Sequence, residues 1–228
     1  MLITIESLLS RAEIAAARAL LQQADWHSGT ATAGAQAAQV KNNRQLSATA
    51  PQLPGLRQLV LDALNRSATF LAAALPLRIL PPEFNRYEGD TNAYGFHVDS
   101  AMRQALSSPG SYLRCDLSAT LFLSEPDEYE GGVLTIQDTF GNHGVRCPAG
   151  TLVLYPASSV HAVTPVTRGA RLACFLFLQS MVRDAGQRRL LYDMDMALLQ
   201  LRNSVGETAP VVQLTGTYHN LLRRWAET

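Results

Sequence analysis

The sequence predicts an α+β protein whose β core, of a closed or double-sheet type such as a jelly roll, is buttressed by helices at both ends. Apolar residues follow helical spacing before residue 76 and again after residue 180. Between these limits, short apolar runs alternate with turn signals such as Gly131-Gly132 and Gly141-Asn142, which predicts six to eight short strands. We therefore divide the chain into N-terminal helices with a lid loop (residues 1–76), the β core (77–180) and a C-terminal helical extension (181–228).

Two helices and a loop are predicted in the N-terminal segment. Ser10 and Glu13 have the spacing of a capping box and mark the start of the first helix. Apolar residues at i, i+3 and i+4 spacing between Leu56 and Leu71 predict the second helix, which ends before Pro76. The stretch from Trp26 to Ala50 has no sustained periodicity, and we expect a long loop of the kind that often forms a lid.

The strands of the core and the C-terminal helices follow from the same patterns. The clearest predicted strands are Asp116–Leu123, Val133–Gln137, Thr151–Tyr155 and Arg171–Leu178. Helical periodicity then returns at Leu190, Leu191, Met194, Leu198 and Leu201, and a short last helix carries Leu221, Leu222 and Trp225. These apolar helices could cover the sheet or form a homodimer interface.

Composition and charge exclude several classes of partner. The hydrophobic fraction is 47% and the charged fraction 17%, as in a globular protein with a large core. The 19 basic and 19 acidic residues cancel, so we expect neither nucleic acid nor membrane as a partner. The N-terminus lacks signal-peptide features, and three widely separated cysteines suit a reducing compartment, so we expect a cytoplasmic protein.

Three residues have the composition of a metal site. In a strand, His97 and Asp99 point to the same face, although a lone His-x-Asp triplet is a weak signal. His161 follows a turn at the start of a predicted strand and supplies a second imidazole. Two histidines and one carboxylate that leave coordination positions open are typical of non-haem Fe(II) oxygenases, whereas a structural zinc site is closed by four protein ligands.

Arg171 and Tyr87 are the candidates for binding an organic anion. Arg171 lies in an apolar strand ten residues after His161, and a buried guanidinium is costly unless an anion meets it. The far carboxylate of 2-oxoglutarate fits this role, and the hydroxyl of Tyr87 could donate to the same group. Arg171 could instead close a buried ion pair, and Tyr87 could be an ordinary core tyrosine.

The order of these residues resembles that of the Fe(II)/2-oxoglutarate dioxygenases, which have a double-stranded β-helix fold. The chain is most similar to the bacterial PKHD-type hydroxylases, relatives of the prolyl and lysyl hydroxylases. Similarity spans nearly the whole chain, and the matching stretches are 32–34 (TAG), 40–46 (VKNNRQL), 84–87 (FNRY), 95–99 (GFHVD), 116–124 (DLSATLFLS), 130–132 (EGG), 148–156 (PAGTLVLYP) and 164–172 (TPVTRGARL).

The resemblance implies a chemistry and a set of site residues. His97, Asp99 and His161 would bind Fe(II), Arg171 would anchor 2-oxoglutarate, and Tyr87 would assist it. The reaction would consume oxygen and 2-oxoglutarate and hydroxylate a substrate, with ascorbate keeping the iron reduced. This branch of the family is associated with bacterial iron uptake, and the substrate could be a peptide residue, a siderophore or another small molecule.

One position departs from the family pattern. Some relatives place a tyrosine on the strand that here carries Phe122, so a hydroxyl contact is missing or comes from Ser118 or Thr120 on the same strand.

A polar cluster in the predicted loop, Lys41, Asn42 and Asn43, has two interpretations. Composition alone favours a solvated loop. The resemblance at this position and the length of the loop predict instead that the cluster helps to close over the substrate. The stretch 101–111, rich in serine and alanine, is expected to form a second mobile flap next to Asp99.

Two functions of other classes compete with hydroxylation. The same fold could serve as a non-catalytic iron-binding or iron-sensing module, because fold does not determine function. It could also host a metal-dependent hydrolase or isomerase of the cupin type. Arg171 favours the oxygenase, since a sensor has no use for a 2-oxoglutarate anchor.

Overall fold

The computed structural model describes residues 1–104, 110 and 112–228. Most of the predicted flap at 101–111 therefore lies outside the described residues. The six α-helices of the described part are α1 (Arg11–Gln22), α2 (Ala35–Val40), α3 (Leu53–Arg66), α4 (Ala68–Ala74), α5 (Ala185–Val205) and α6 (Ala209–Trp225), and short 3-10 helices cover Gly29–Thr32 and Pro126–Glu128.

Strands are found from the N-terminus to residue 180. Those in the first half of the chain are β1 (Ile3–Ile5), β2 (Trp26–Ser28), β3 (Lys41–Asn42), β4 (Arg44–Leu46), β5 (Pro76–Ile79), β6 (Glu83–Tyr87), β7 (Ala93–His97), β8 (Met102–Gln104) and β9 (Tyr112–Arg114). The later ones are β10 (Leu117–Phe122), β11 (Tyr129–Gly131), β12 (Leu134–Asp138), β13 (Gly141–Val145), β14 (Leu152–Pro156), β15 (His161–Val163), β16 (Val166–Gly169) and β17 (Arg171–Ser180).

Two antiparallel sheets form the core. Across the described residues, the larger sheet has eight strands in the order β1-β14-β10-β17-β6-β4-β2, with β5 also paired to β17. The smaller sheet has the order β13-β12-β15-β7-β3. Two further pairs, β11 with β16 and β8 with β9, lie beside them. The predicted α+β architecture, with a two-sheet β core and helices at both ends, is confirmed.

Alternate side chains of the large sheet point to an apolar core on one face and to a cavity on the other. On β10, Leu117, Ala119 and Leu121 join the apolar core formed with α1, α3 and α4. The alternate residues Ser118 and Thr120 line a cavity on the other face, between the two sheets. The large sheet is therefore held by helices on one side and carries polar side chains on the other.

The N-terminal segment differs most from its prediction between Trp26 and Ala50. The capping box of Ser10 and Glu13 starts α1 as predicted. The predicted loop from Trp26 to Ala50 is wrong, because this stretch holds α2 and three short strands that extend both sheets. Such two- and three-residue strands are too short to show alternation in the sequence. Pairing stabilises them: β3 pairs with β7, β4 with β6, and β2 with β4.

The remaining helices follow the predicted patterns with different lengths. The predicted second helix is two helices, because Ser67 caps the start of α4 with its side chain. The last helix, expected to be short, runs for 17 residues. It packs with α5 around Leu75 and Val182. A homodimer interface on these helices stays a prediction. No helix among the described residues combines the length and the apolar character that crossing a bilayer requires.

Candidate active site

Two strand ends and the segment after one of them bring His97, Asp99 and His161 together. His97 ends β7 and His161 begins β15, and the two residues are directly paired in the small sheet. Asp99 lies two residues after His97, and its Oδ2 is 3.6 Å from the Nε2 of His161. One ligand atom from each of the three side chains lies within 4.8 Å of the others, a cluster that can hold one metal ion.

Backbone carbonyls set the tautomer of both histidines. The Nδ1 of His97 lies 2.8 Å from the carbonyl oxygen of Gly95, and the Nδ1 of His161 lies 3.0 Å from that of Ser159. A carbonyl oxygen only accepts, so each Nδ1 donates its proton and each Nε2 keeps a lone pair for a metal. Burial, followed by the charge of His161, lowers the pKa of His97 to about 4. This imidazole is therefore neutral at physiological pH, as a metal ligand must be.

Neighbouring side chains hold His97, Asp99 and His161, which we call the triad, in place. The ring of Tyr94 stacks on His97 with centroids 3.6 Å apart, and Tyr155 meets His161 edge-on at 5.1 Å. Ser118 of β10 donates a hydrogen bond of 2.6 Å from its hydroxyl to Oδ2 of Asp99. Ser118, which the sequence offered as a substitute hydroxyl, therefore orients the carboxylate of Asp99.

Replacing Ser118 with alanine should weaken metal binding about 10- to 100-fold, because outer-shell partners fix the orientation of a ligand. Co(II) titration followed by visible absorbance measures the affinity. Ser124→Ala is the matched control: Ser124 is a buried serine that bonds the carbonyl of Ala170 and the amide of Leu172. It should lower the melting temperature and leave the Co(II) affinity unchanged. Equal affinities in wild type and Ser118→Ala would show that Ser118 does not orient Asp99.

Arg171 brings an unpaired charge into the same cavity. It begins β17, is 1% exposed, and its Nε and Nη2 have no hydrogen-bond partner among the described residues. The guanidinium carbon lies 4.9 Å from the centre of the Phe122 ring and 5.4 Å from that of Tyr87. A buried guanidinium without a partner carries a large desolvation cost, which an incoming anion would offset.

Tyr87 lies directly opposite Arg171 in the pairing of β6 with β17. Burial raises the pKa of its hydroxyl above the ordinary value, so the group stays protonated and can donate to an anion. Its oxygen accepts a 3.4 Å hydrogen bond from Nδ2 of Asn85. Phe122 contacts the guanidinium through its ring and has no hydroxyl to donate. The hydroxyl next to Arg171 is therefore that of Tyr87.

The conformation of Gly132 makes room for Arg171. Its φ is +60°, which favours glycine, and a Cβ placed there would lie only 2.9 Å from Cδ of Arg171. The Gly131-Gly132 pair noted in the sequence therefore allows the backbone to approach the arginine closely.

The three residues of the predicted lid cluster, Lys41, Asn42 and Asn43, point alternately into the cavity and to the surface. Lys41 and Asn43 are buried and line the cavity. Asn42 is exposed, and its side chain bonds the carbonyl of Asp90. Asn43 precedes the pair Arg44–Arg86, which places it level with Tyr87. Asn43 thus lies on the Arg171 side of the cavity.

Sequence reasoning missed several polar residues of the cavity. Asn85 lies on the same face of β6 as Tyr87, at i−2, so the strand period could have identified it once Tyr87 was proposed. Glu83, at i−4, lines the neighbouring cleft. Arg103 had no such signal, because β8 is a three-residue strand beside a polar stretch. The whole cavity has a volume of about 590 Å³, its open mouth included.

Comparisons with known proteins agree with this geometry. Residues 82–179 match the model of the 2OG-Fe(II) oxygenase superfamily, and residues 185–227 match that of the PKHD-type hydroxylase C-terminal domain. A PKHD-type hydroxylase of Nitrosomonas europaea is 63% identical over 227 residues, and one of Azoarcus is 65% identical over 228 residues. Both alignments cover 100% of this chain and of the relative.

Solved structures of low sequence identity share the fold. A prolyl hydroxylase from Trichoplax adhaerens, in complex with a hypoxia-inducible-factor peptide fragment, has a TM-score of 0.55 at 15% identity and covers 83% of this chain and 86% of its own. HygX from Streptomyces hygroscopicus, with nickel and 2-oxoglutarate bound, has a TM-score of 0.53 at 15% identity and covers 78% and 82%. The predicted jelly-roll fold is confirmed.

Proposed function

Because the chain belongs to the PKHD-type hydroxylases of the 2OG-Fe(II) oxygenase superfamily, we propose that it binds Fe(II) through His97, Asp99 and His161 and hydroxylates a small-molecule or peptide substrate. Arg171 and Tyr87 bind the far carboxylate of 2-oxoglutarate. The observation that carries this proposal is the buried guanidinium of Arg171, whose Nε and Nη2 have no hydrogen-bond partner among the described residues. It lies in the cavity that Asp99 and His161 of the two-histidine, one-carboxylate cluster also line.

The donor set fits the metal and the co-substrate. Two neutral imidazoles and a carboxylate suit Fe(II) and leave positions open for two further ligands. The guanidinium of Arg171 and the protonated hydroxyl of Tyr87 are the donors that a dicarboxylate needs at its far end. An iron sensor would bind the metal but would leave the cost of burying Arg171 without compensation, so the sensor hypothesis is disfavoured.

Each residue has a defined task in this proposal. Gly95 and Ser159 keep the Nε2 atoms of the histidines available, and Ser118 aims the carboxylate of Asp99. Tyr94 and Tyr155 shield the triad from water with their rings. Bound iron with 2-oxoglutarate supplies the oxidising chemistry for hydroxylation, and the protein supplies orientation and a dry cavity.

Two finer features extend the proposal. We expect ascorbate to support turnover by keeping the iron reduced, and we expect the enzyme to serve bacterial iron uptake. Both rest on the resemblance of motifs such as residues 148–156 and 164–172 to the iron-uptake branch. Slower growth of a deletion strain under iron limitation, restored by the gene, would support the second feature.

Uncoupled turnover tests the proposed reaction without a known substrate. Protein supplied with Fe(II), 2-oxoglutarate, ascorbate and oxygen should slowly release succinate, measured by mass spectrometry. Protein without Fe(II), or with Ni(II) in its place, is the matched control and should release none. If protein shown to bind Fe(II) forms no succinate from 2-oxoglutarate, with or without candidate substrates, the proposed reaction is wrong.

A further inference from the structure

The active-site cavity continues along β17 beyond what 2-oxoglutarate requires. The inward side chains of this strand run from Arg171 through Phe175 to Phe177. At ~3.3 Å per residue this face is about 20 Å long, much longer than a five-carbon diacid. Ser118, which orients Asp99, pairs with Phe177, so the phenylalanine end of the strand lies beside the metal triad.

This end of the cavity opens into a neighbouring cleft. Arg103, Phe175 and Phe177 line both spaces. The cleft is completed by side chains on the turn between β5 and β6, on the start of β6 and on the end of β8: Leu80, Pro81, Glu83 and Gln104. The two phenylalanine rings meet edge-on with centroids 5.9 Å apart and form an apolar wall. We call this space, from the triad to Leu80, the outer chamber.

Two cations face the apolar wall. The guanidinium carbon of Arg103 lies 3.9 Å from the centre of the Phe177 ring, and Nζ of Lys41 lies 5.7 Å from that of Phe175. Nε of Arg103 is buried and has no hydrogen-bond partner among the described residues. The stacked guanidinium therefore keeps a donor that a ligand can use.

Outside the triad, Glu83 is the carboxylate that lines the chamber among the described residues. Nζ of Lys41 donates to Oε1 of Gln45, whose amide donates to Glu83. With Asp99 assigned to the metal and Glu83 counted against Lys41 and Arg103, the chamber keeps one positive charge in excess. Burial lowers the pKa of Lys41 to about 8, so it is still largely protonated at neutral pH. A neutral or cationic substrate would leave this excess uncompensated.

We propose that the outer chamber binds the substrate through a carboxylate, held by Arg103 and Lys41, while an apolar or aromatic body lies against Phe175 and Phe177. This inference rests on the proposed function, because it assumes that 2-oxoglutarate occupies the Arg171 side. It narrows the substrate to an organic acid, or to a molecule that presents a free carboxylate next to an apolar group.

Three probes of one shape test the charge preference. Phenylacetate, its neutral isostere phenylacetamide and the cation phenethylamine are titrated calorimetrically into protein loaded with Ni(II) and saturating 2-oxoglutarate. Binding of 2-oxoglutarate itself is measured first, which tests the proposed function separately. Phenylacetate should bind at least 10-fold more tightly than either competitor, with a Kd of about 1 mM or lower for a probe of this size.

Variants test whether Arg103 and Lys41 cause the preference for phenylacetate. Arg103→Gln should abolish the preference for phenylacetate, and Lys41→Met, which keeps the aliphatic stem, should reduce it at least 3-fold. Arg146→Gln is the matched control, because Arg146 also stacks on a ring, that of Tyr129 at 4.7 Å, and does not line the chamber. It should keep the full preference.

The outcomes separate the two proposals. If 2-oxoglutarate binds but the three probes bind equally, or phenethylamine binds best, the carboxylate inference is overturned and the proposed function stands. Absence of any probe binding at about 10 mM would also overturn it, since a built chamber should hold such fragments. If 2-oxoglutarate does not bind the Ni(II) protein, the proposed function and the inference fall together.

Discussion

His161→Ala should reduce succinate formation by about 10³-fold or more. The variant loses one of the three atoms that cluster within 4.8 Å, and the remaining pair, His97 and Asp99, cannot hold the metal firmly. Loss of a direct ligand should exceed the 10- to 100-fold effect of an outer-shell partner. The rate of 2-oxoglutarate consumption and the Fe(II) content after gel filtration both measure the effect.

His143→Ala is the matched control for this experiment. His143 lies on the exposed strand β13, where its Nε2 is 3.0 Å from Oδ2 of Asp138. Its removal should leave both Fe(II) content and succinate formation at the wild-type level. Wild-type turnover in His161→Ala, or an equal loss in both variants, would contradict the assignment of His161 to the metal.

Arg171→Met should raise the Kd for 2-oxoglutarate roughly 10²- to 10³-fold. Removing one partner of a buried ion pair costs about 3–5 kcal/mol, and each 1.4 kcal/mol changes the Kd tenfold. Titration of the Ni(II) protein with 2-oxoglutarate by calorimetry measures the change. Metal affinity should be unaffected, because Arg171 is not among the clustered ligands.

We also expect Arg171→Met to change the thermal stability of the protein in an unusual direction. Without ligand, Arg171→Met should melt at the same temperature as wild type or higher, because methionine removes an unpaired buried charge. The rise in melting temperature that 2-oxoglutarate produces in wild type should disappear. A markedly lower melting temperature of the ligand-free variant would show that the protein itself satisfies the guanidinium.

Arg188→Met provides the matched control for both measurements. Arg188 is also buried, but its Nη1 donates to the carbonyls of Val182 and Arg183. This variant should melt at a lower temperature, since it leaves two carbonyls without their donor, and should bind 2-oxoglutarate like wild type.

Periodic patterns that extend over several residues made the β core and the residues of the triad predictable. His97 ends β7 and Asp99 follows it by two residues just beyond the strand, a spacing that the sequence shows directly. Arg171 begins a strand of ten residues with a clear apolar pattern. Such patterns are visible in the sequence because a long strand with one buried face needs apolar residues at alternate positions. Helices α1 and α5 were predictable for the same reason.

Short and tertiary features were not predictable in the same way. Strands β3 and β4 have two and three residues, so the segment appeared to be a loop until its pairing with β6 and β7 was known. Arg103 enters the cavity from β8, which no periodicity marks. The separate positions of Lys41 and Asn43 in the cavity likewise depend on neighbouring strands, which the sequence cannot specify.

The most direct test of the central claim is an anaerobic titration of the Fe(II) protein with 2-oxoglutarate, followed by visible absorbance. A keto acid that chelates Fe(II) in the triad should produce a weak charge-transfer band. We expect the band in wild type, its absence in His161→Ala, and a shift to much higher 2-oxoglutarate concentration in Arg171→Met. Fe(II) binding without a band at any 2-oxoglutarate concentration would contradict the claim that this cavity is a 2-oxoglutarate-dependent active site.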